Sequence, residues 1–479
     1  MPSLTLDRLG RHWRPVLRAL LAAADRRSDP VIVGGAVRDA CLGRPRAPDL
    51  DVAIGSGAIP LARRLADRVG GAFVSLDAER GVARVLVGGV RVDIADFRAA
   101  TLDADLRARD FTVNALALSV RALLREGRAP IVDPMGGLAD LRARRLRLAS
   151  TAALGDDPLR ALRAVRLEHL LGFRLASAAA RAITGAAPQL GRVSAERVRD
   201  ELLLLLALRQ AARAMRRADQ LRLLATVVPE IEAMRATQQP PPHRFTVLEH
   251  SLRAVAGSDL VIARAHALAP FGEELAAHLT APLGGGVTRG QVLKLAALLH
   301  DVSKPETYRV RDGRVTFFEH DERGAARARA IGERLRLPGE AVAALERLVR
   351  HHLRPMHLGG AGEITDRARW RFYRDLGADT RDLLLLALVD AAAVRGQSPF
   401  AVWRRATLIR DLLRGWAVQR RAAAAPPLLR GDDVMARFGL APGPEVGRLL
   451  ARAREAQDLG LVRTRDAALA YLDSSRAGP

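Results

Sequence analysis

Within the first 150 residues the apolar positions fall into short runs rich in β-branched side chains. Four of these runs predict strands, with helices between them: VIVGG (31–35), LDVAI (50–54), ARVLVGG (83–89) and VRVDIADF (90–97). The sequence therefore predicts an α/β head over residues 1–150.

The apolar pattern changes after the head. From Leu154 to Ala236 leucine, alanine and arginine recur at three- and four-residue steps, which predicts a helical neck over 151–237. The segment QQPPP (238–242) cannot continue a helix, because proline lacks an amide donor and restricts the residue before it. We therefore expect a domain boundary there. We expect the fold class to be α+β.

Two further helical domains are expected after this boundary. Residues 243–395 are rich in histidine and are interrupted by the loop LGGGVTRG (283–290). The remaining residues, 396–479, predict a small helical tail whose last segment follows AAAAPP (422–427).

The charge and the cysteine content narrow the class of protein. The formal net charge is +23, and Lys294 and Lys304 are the only lysines, so either a polyanionic partner or an arginine-rich genome explains the balance. Cys41 is the sole cysteine, which excludes an intramolecular disulfide and a multi-thiolate metal site. The N-terminus lacks the apolar core of a signal peptide, and the run 202–208 is too short to cross a bilayer. We expect a cytoplasmic protein that does not bind membranes.

The stretch VIVGGAVRDACLGRPRAPDLDVAIG (31–55) carries the clearest chemistry. Asp49 and Asp51 are two residues apart in a strand, so their carboxylates project side by side and suit Mg²⁺. Asp93 is the candidate for a third carboxylate on a neighbouring strand, and Asp96 is a weaker one. Alone, a glycine pair or a DLD turn would be unremarkable at a strand end or on a solvated surface. Their combination at this spacing favours a nucleotide site.

Gly34 and Gly35 allow the backbone to approach phosphates closely, and Arg38 follows in the first turn of the next helix.

Five ordered motifs resemble the bacterial tRNA nucleotidyltransferase/poly(A) polymerase family, within the polymerase β-like nucleotidyltransferases. They are GGAVRDACLG…DLD (34–51), DLRARDFTVNALAL (105–118), VDPMGGLADL (132–141), DDPLRALRAVRLEHLLGF (156–173) and the C-terminal LLRGDDVMARFGLAPGPEVGRLL (428–450) with REAQDLGLVRTRDAAL (454–469). The resemblance implies a polymerase β-like mixed-sheet head, followed by an all-α neck, an all-α metal domain and the helical tail. It also implies template-independent extension of a tRNA 3′ end, with CTP and ATP as substrates.

The resemblance assigns roles to single residues. Asp49 and Asp51 would hold Mg²⁺, with Asp93 as the third acid, while Gly35 and Arg38 would hold the triphosphate. An Arg–Asp pair near the ribose maps to Arg109 and Asp110, although Ala108 stands where the family usually has another arginine.

Base selection maps to Asp157 and Arg160 on the neck, and Arg163 extends the same helical face. The alternative for this set is an ordinary surface salt bridge.

A short connection bears on which nucleotide is added. Only AATLDADL (99–106) separates DFR (96–98) from the RARD element (107–110). In the family such a shortened loop resembles that of enzymes that add only the two cytidines. We expect CC addition, with the complete CCA end, A-addition and poly(A) synthesis as alternatives.

The histidine-rich domain resembles the HD phosphohydrolase superfamily. Its signature H…HD…D appears as His250, His300–Asp301 and Asp390, and His320 and His352 could hold a second ion. Imidazole and carboxylate ligands suit a divalent transition metal. Lys304, one turn later, is placed to meet a phosphate. Surface histidines, or a domain that only holds RNA, are the alternatives.

Two further function classes stay open from the sequence. One is a phosphohydrolase whose head only binds nucleotide or RNA, and the other is an inactive RNA-binding scaffold. Clustered carboxylates repel one another and RNA, which argues against the scaffold.

Overall fold

The computed structural model describes residues 2–25, 28–44, 49–360, 363–423 and 425–476, without the side chains of 420–423, 475 and 476. The predicted break at 422–427 therefore lies partly outside the described residues. The chain forms two compact units, one of Met1–Glu201 with Arg217–Val227 and the other of Leu202–Arg216 with Val228–Pro479. Among the described residues, none of the helices has both the length and the apolar character needed to cross a membrane. The division into four domains stays a prediction.

The first unit is built on a six-stranded mixed sheet. Its strands and the short strands around it are β1 (Ser3–Thr5), β2 (Val31–Val33), β3 (Asp49–Ile54), β4 (Ala72–Asp77), β5 (Val82–Val87), β6 (Val90–Asp96), β7 (Ala117–Ser119), β8 (Arg128–Pro130), β9 (Arg145–Leu146) and β10 (Arg174–Leu175). The strand order in the large sheet is β4-β5-β6-β3-β2-β7. β3 and β6 run parallel, whereas the other neighbours in the large sheet are antiparallel.

Helices cover and extend this sheet. They are α1 (Leu6–Leu9), α2 (Arg14–Ala23), α3 (Gly35–Cys41), α4 (Ala58–Val69), α5 (Leu102–Arg107), α6 (Val120–Glu126), α7 (Gly137–Arg142), α8 (Ala153–Asp156), α9 (Arg160–Leu171), α10 (Ser177–Ala186), α11 (Ala195–Ala207), α12 (Ala211–Gln220) and α13 (Leu223–Val227). Helices α11 and α12 each begin in one unit and end in the other.

The alternation along the central strands fixes which side chains enter the core. Leu50 and Val52 on β3 are fully buried, and so are Val92 and Ile94 on β6. Because successive strand residues point to opposite faces, the intervening aspartates of both strands point away from this core.

The second unit is almost entirely helical. Its remaining helices are α14 (Ile231–Ala236), α15 (Val247–Ala263), α16 (Gly272–Thr280), α17 (Arg289–Leu299), α18 (Lys304–Thr307), α19 (His320–Arg334), α20 (Gly339–His351), α21 (Arg354–Gly360), α22 (Asp366–Leu376), α23 (Thr380–Arg395), α24 (Pro399–Trp403), α25 (Thr407–Ala423), α26 (Gly431–Phe438), α27 (Pro444–Asp458) and α28 (Arg465–Arg476). One hairpin interrupts them, formed by β11 (Arg309–Arg311) and β12 (Arg314–Thr316).

The structure confirms the α+β class, with a mixed-sheet head followed by a mostly helical region. Several details of the prediction were wrong. In the head, five strands were missed: β4, which is an exposed edge strand with little apolar alternation, and β1, β7, β8 and β9, which are only two or three residues long. The neck was expected to lack strands but contains β10, and the histidine-rich domain contains the β11–β12 hairpin.

Candidate active site and candidate metal centre

Three aspartates share one face of the sheet in the first unit. Asp51 on β3 is the register partner of Asp93 on the parallel strand β6, and Asp49 stands two residues before Asp51 on the same face. The sheet thus brings the three predicted acids together. Asp96 is not among them, because it lies an odd number of residues from Asp93. Its Oδ1 accepts the backbone N–H of Ala58 at 2.8 Å at the start of α4.

Two arginines that the sequence analysis did not single out pair with these acids. The guanidinium of Arg84 on β5 donates to Asp93 at 2.7 and 2.9 Å. Arg91 on β6 donates to both carboxylate oxygens of Asp49, with 2.9 Å from Nε to Oδ1. Both arginines are the register partners of the acids they bind, so the strand pairing itself would have identified them.

Asp51 stands between the two ion pairs. Although Asp51 as a whole residue is exposed, desolvation of its carboxyl by the surrounding protein and the neighbouring Asp93 raise its pKa above the ordinary value. A carboxylate in this position is stabilised by a cation, and a set of hard oxygen donors suits Mg²⁺. The donor chemistry of the three aspartates therefore fits the predicted ion.

The glycine pair lies directly beside Asp51. Gly34 has φ 72° and ψ −132°, and a Cβ there would lie 3.3 Å from Oδ2 of Asp51 and 3.7 Å from Nη1 of Arg109. Gly35 opens α3. Only glycine adopts this backbone conformation without strain, and the absence of a side chain at position 34 leaves space between Asp51 and Arg109.

A chain of hydrogen bonds joins three of the predicted nucleotide-binding residues. The guanidinium of Arg38 donates to the two carboxylate oxygens of Asp39 at 2.8 and 3.0 Å, and to Asn114 Oδ1 at 2.7 Å. Asn114 donates to Asp110 Oδ1 at 3.0 Å, and Arg163 donates to Asp110 Oδ2 at 3.1 Å. Burial acts to raise the pKa of Asp110, but Arg163, Asn114 and a backbone N–H together hold it below its ordinary value.

Arg109 is held separately. Its guanidinium donates to Oδ2 of the buried Asp105 at 3.1 and 2.9 Å, while Oδ1 of Asp105 accepts the backbone N–H of Arg98 at 3.0 Å. Asp105 thus ties the start of the connection between β6 and α5 to Arg109, which lies beside Gly34.

The premise of a shared helical face for Asp157 and Arg160 was wrong. Asp157 is extended, with φ −152° and ψ 98°, and ends α8, whereas Arg160 opens α9. Pro158 follows Asp157 and disfavours helical backbone there. Asp157 accepts from Arg197 at 2.8 Å, and Arg160 donates to the carbonyl oxygens of Ala153 and Ala108 at 3.2 and 3.3 Å. Arg163 does lie on the face of Arg160, three residues later in α9.

The second unit gathers the predicted histidines and aspartates into two triads of potential metal ligands. One is His250, His300 and Asp390, and the other is Asp301, His320 and His352; the ligand atoms of each triad lie within 4.8 Å of one another. His250 Nε2 lies 2.9 Å from Asp390 Oδ1 and 3.2 Å from His300 Nε2. All six residues that the sequence analysis named therefore meet.

The orientation of the rings suits metal ligation. The Nδ1 atoms of His300, His320 and His352 lie 3.0, 2.6 and 2.7 Å from the backbone carbonyl oxygens of Ala297, Phe317 and Val349. A carbonyl can only accept, so Nδ1 carries the proton and Nε2 is left as the donor atom toward the centre. The buried Nε2 atoms of His320 and His352 have no hydrogen-bond partner among the described residues.

Charge points to a cation at the same place. Among the protein groups alone, burial acts to lower the pKa of His300, but Asp301 and Asp390 raise it to about 10. A divalent ion would replace that proton in balancing the buried carboxylate of Asp301 and the partly buried carboxylate of Asp390. The donor set of four imidazoles and two carboxylates fits a pair of transition-metal ions.

Two residues beside this centre were missed or only partly foreseen. Lys304 Nζ lies 2.8 Å from Asp301 Oδ2 and donates to Gln239 Oε1 at 2.7 Å, so the QQPPP segment reaches the centre. His243 packs edge-on against His250 with ring centroids 5.2 Å apart. Its position after the proline run gave no periodic signal.

Three family models match the chain in order. Residues 31–147 match the poly A polymerase head domain, 172–235 the probable RNA and SrmB-binding site of polymerase A, and 265–393 the HD domain. His250 lies before the matched part of the HD domain, so its membership of the centre rests on geometry.

Full-length relatives have different specificities. An A-adding tRNA nucleotidyltransferase of Deinococcus radiodurans is 39% identical over 92% of this chain and 94% of the relative. A CC-adding tRNA nucleotidyltransferase of Thermus thermophilus is 35% identical over 94% of each chain. A CCA-adding enzyme of Thermotoga maritima in complex with tRNA shares the fold, with a TM-score of 0.60 and 19% identity over 99% of this chain and 100% of that one.

Proposed function

The chain belongs to the CCA-adding family of class II tRNA nucleotidyltransferases, with a poly A polymerase head, an RNA-binding region and an HD domain, and from this premise we propose that it adds cytidines to tRNA. The reaction joins the RNA 3′-oxygen to the α-phosphorus of CTP and breaks the bond from that phosphorus to pyrophosphate. We extend the proposal to cytoplasmic tRNA as the substrate and to CTP and ATP as the nucleotides the head can admit.

Each part of the head has a role in this reaction. Asp49, Asp51 and Asp93 would hold Mg²⁺, which when bound stabilises charge on the attacking and leaving oxygens. Gly34 leaves room for the triphosphate, which Gly35 and Arg38 would hold. Arg109, fixed by Asp105, and Asp110, bound by Asn114 and Arg163, would face the ribose.

Base selection is proposed to rest on Asp157 and Arg160, although they do not share a helix. Asp157 offers acceptor atoms before the turn at Pro158 and Leu159, and Arg160 offers donor atoms after it. Because Arg160 donates to the carbonyl oxygen of Ala108, a nucleobase at this position would be read next to the RARD element.

One observation carries the proposal of a single base specificity. The connection from β6 to α5 is only residues 97–101, and both its ends are tied: Asp105 binds the backbone N–H of Arg98, and Thr101 caps α5 by accepting from Ala104 N. A pocket that changes from cytidine to adenosine needs an element that moves, and this short connection offers little freedom. The family resemblance associates such a short loop with cytidine.

Addition of the terminal adenosine is the second candidate for the head. It is favoured by the similarity to the A-adding relative of Deinococcus radiodurans. The two candidates make opposite demands on the tRNA substrate, so one experiment separates them.

The test uses the purified chain, labelled CTP or ATP, and tRNA that ends at the discriminator base or at CC, with products resolved to the nucleotide. Two cytidines added to the shorter tRNA, and nothing added to tRNA-CC, are expected. A single adenosine added only to tRNA-CC would establish the second candidate instead. A complete CCA end made by this chain alone would contradict a single base specificity.

We also propose a phosphohydrolase activity for the HD domain, on the observation that six ligand side chains converge there. Elemental analysis should find a transition metal at stoichiometric level, and the loaded protein should hydrolyse a 2′,3′-cyclic phosphate. His300→Ala should lose this hydrolysis and keep nucleotide transfer, whereas Asp51→Asn should do the reverse. Absence of bound metal after loading would end this part of the proposal.

A further inference from the structure

A short hairpin stands beside the HD centre and has no role in the functions described so far. Strands β11 and β12 are joined by Asp312 and Gly313, which have φ 50° and 71°. Positive φ at both central residues is the geometry of a tight two-residue hairpin turn. The hairpin is therefore a defined element with two different faces.

One face attaches the hairpin to the centre. The ring of Phe317 packs against Tyr308 with centroids 5.8 Å apart, and Lys304 Nζ lies 5.5 Å from the Phe317 ring centroid. The carbonyl oxygen of Phe317 lies 2.6 Å from Nδ1 of the metal ligand His320. The base of the hairpin is thus continuous with both the ligand shell and the lysine of the centre.

The other face is basic and aromatic. Arg311 and Arg314 are register partners and so point to the same face, and both are exposed. Among the described residues no carboxylate forms an ion pair with either of them. Phe318 is 65% exposed, and the guanidinium of Arg311 lies 5.6 Å from its ring centroid. We refer to Arg311, Arg314 and Phe318 as the hairpin face.

We propose that the hairpin face binds the single-stranded 3′ end of an RNA and delivers its terminal phosphate to the HD centre. Arginines without acidic partners attract phosphates, and an exposed phenylalanine offers a surface on which a base of any identity can stack. An acidic protein would satisfy the arginines but not the aromatic ring. The proposal rests on the proposed hydrolase function and names its substrate as a polynucleotide, not a free nucleotide.

The first test compares two substrates with the metal-loaded, full-length chain: a short RNA ending in a 2′,3′-cyclic phosphate and the corresponding cyclic mononucleotide. On the RNA, the variant R311A/R314A/F318A should have a kcat/KM about tenfold lower than the parent, because its KM is higher. On the mononucleotide its kcat/KM should change little. Tyrosine in place of alanine at position 318 should restore the part of the RNA affinity that comes from base stacking. The exposed residues Arg264 and Val418 of the same unit provide control substitutions to alanine.

Salt dependence separates charge from shape. Removing two phosphate contacts to a single strand should reduce the slope of log KM against log salt concentration by about 1.4. An unchanged slope would show that the arginines do not meet phosphates.

The second test does not depend on hydrolysis. RNA with a photoreactive base near its 3′ end is cross-linked to the full-length chain in chelator, and the adduct is mapped. A cross-link within residues 308–318 that the triple variant loses supports the proposal. RNA kinetics in the triple variant that match those of the parent, with no cross-link in this range, would overturn it and leave the hydrolase proposal standing. If no substrate is hydrolysed, the hydrolase proposal fails while the cross-link still reports on the hairpin.

Discussion

Replacement of Gly34 by alanine tests the geometry of the nucleotide site most directly. The backbone of Gly34, at φ 72° and ψ −132°, lies in a region that other residues rarely enter. Forcing alanine into it costs of order 1–3 kcal/mol. The new Cβ would in addition lie 3.3 Å from Asp51 Oδ2, so the carboxylate must shift by a few tenths of an ångström.

Backbone strain and disturbance of the site can be separated with a second glycine. Gly89, in the turn between β5 and β6, has φ 78°, and a Cβ there would meet nothing within 4 Å. Gly89→Ala should therefore lose a similar 1–3 kcal/mol of unfolding free energy, at roughly the same cost in Tm, without touching Asp51.

The assay is addition of labelled nucleotide to tRNA, measured at a temperature where both variants are folded. Gly34→Ala should reduce kcat/KM by roughly ten- to a hundredfold, because it displaces a group that holds the reacting atoms. Gly89→Ala should stay within twofold of the parent. Equal activity of the two variants would refute the role given to the space between Asp51 and Arg109.

Three further predictions follow from the same contacts. Asp51→Asn should lower nucleotide transfer roughly a hundredfold or more. It should nevertheless raise Tm when chelator is present, because the raised pKa of Asp51 means that its ionised form opposes folding at neutral pH. A lower Tm of the variant in calorimetry would contradict this. Asp110→Asn should lose about 1.5–3 kcal/mol at pH 7 by removing charged hydrogen bonds. Because the pKa of Asp110 is depressed in the fold, that stability is present above the ordinary pKa near 4 and lost as pH falls through the folded value, so urea titrations of variant and parent should converge at low pH. A transition metal at about 100 times its Kd should stabilise the second unit by about 2.7 kcal/mol. His352→Ala should reduce this effect, and His169→Ala, at a partly buried position in the first unit, should leave it intact.

The acidic site was predictable because its signals are local and periodic. Asp49 and Asp51 share a strand, so alternation alone places them on one face, and Leu50 and Val52 confirm which face is buried. The partner strand and its register decide that Asp93, not Asp96, completes the group. From the sequence alone, Asp93 was preferred to Asp96 because it is the acid that stands alone among apolar residues.

Other features depended on pairings that a single sequence does not display. Arg84 and Arg91 meet the carboxylates only through the register of β5, β6 and β3. The hairpin at 309–316, in contrast, was visible in the Asp-Gly between alternating runs, a signal that the helical pattern around it obscured. The placement of Asp157 on a helix failed because Pro158 ends regular backbone before it.

The path of the chain between its two compact units affects how the protein can be divided. The chain passes from one unit to the other after residues 201, 216 and 227. A fragment that stops at Glu201 would lack the buried Leu223 and Leu224, whereas one extended to Val227 would carry along Leu205 and Met215 without the unit that buries them. A single proteolytic cut between residues 202 and 227 therefore leaves both units incomplete. Cleavage there should therefore destabilise both units.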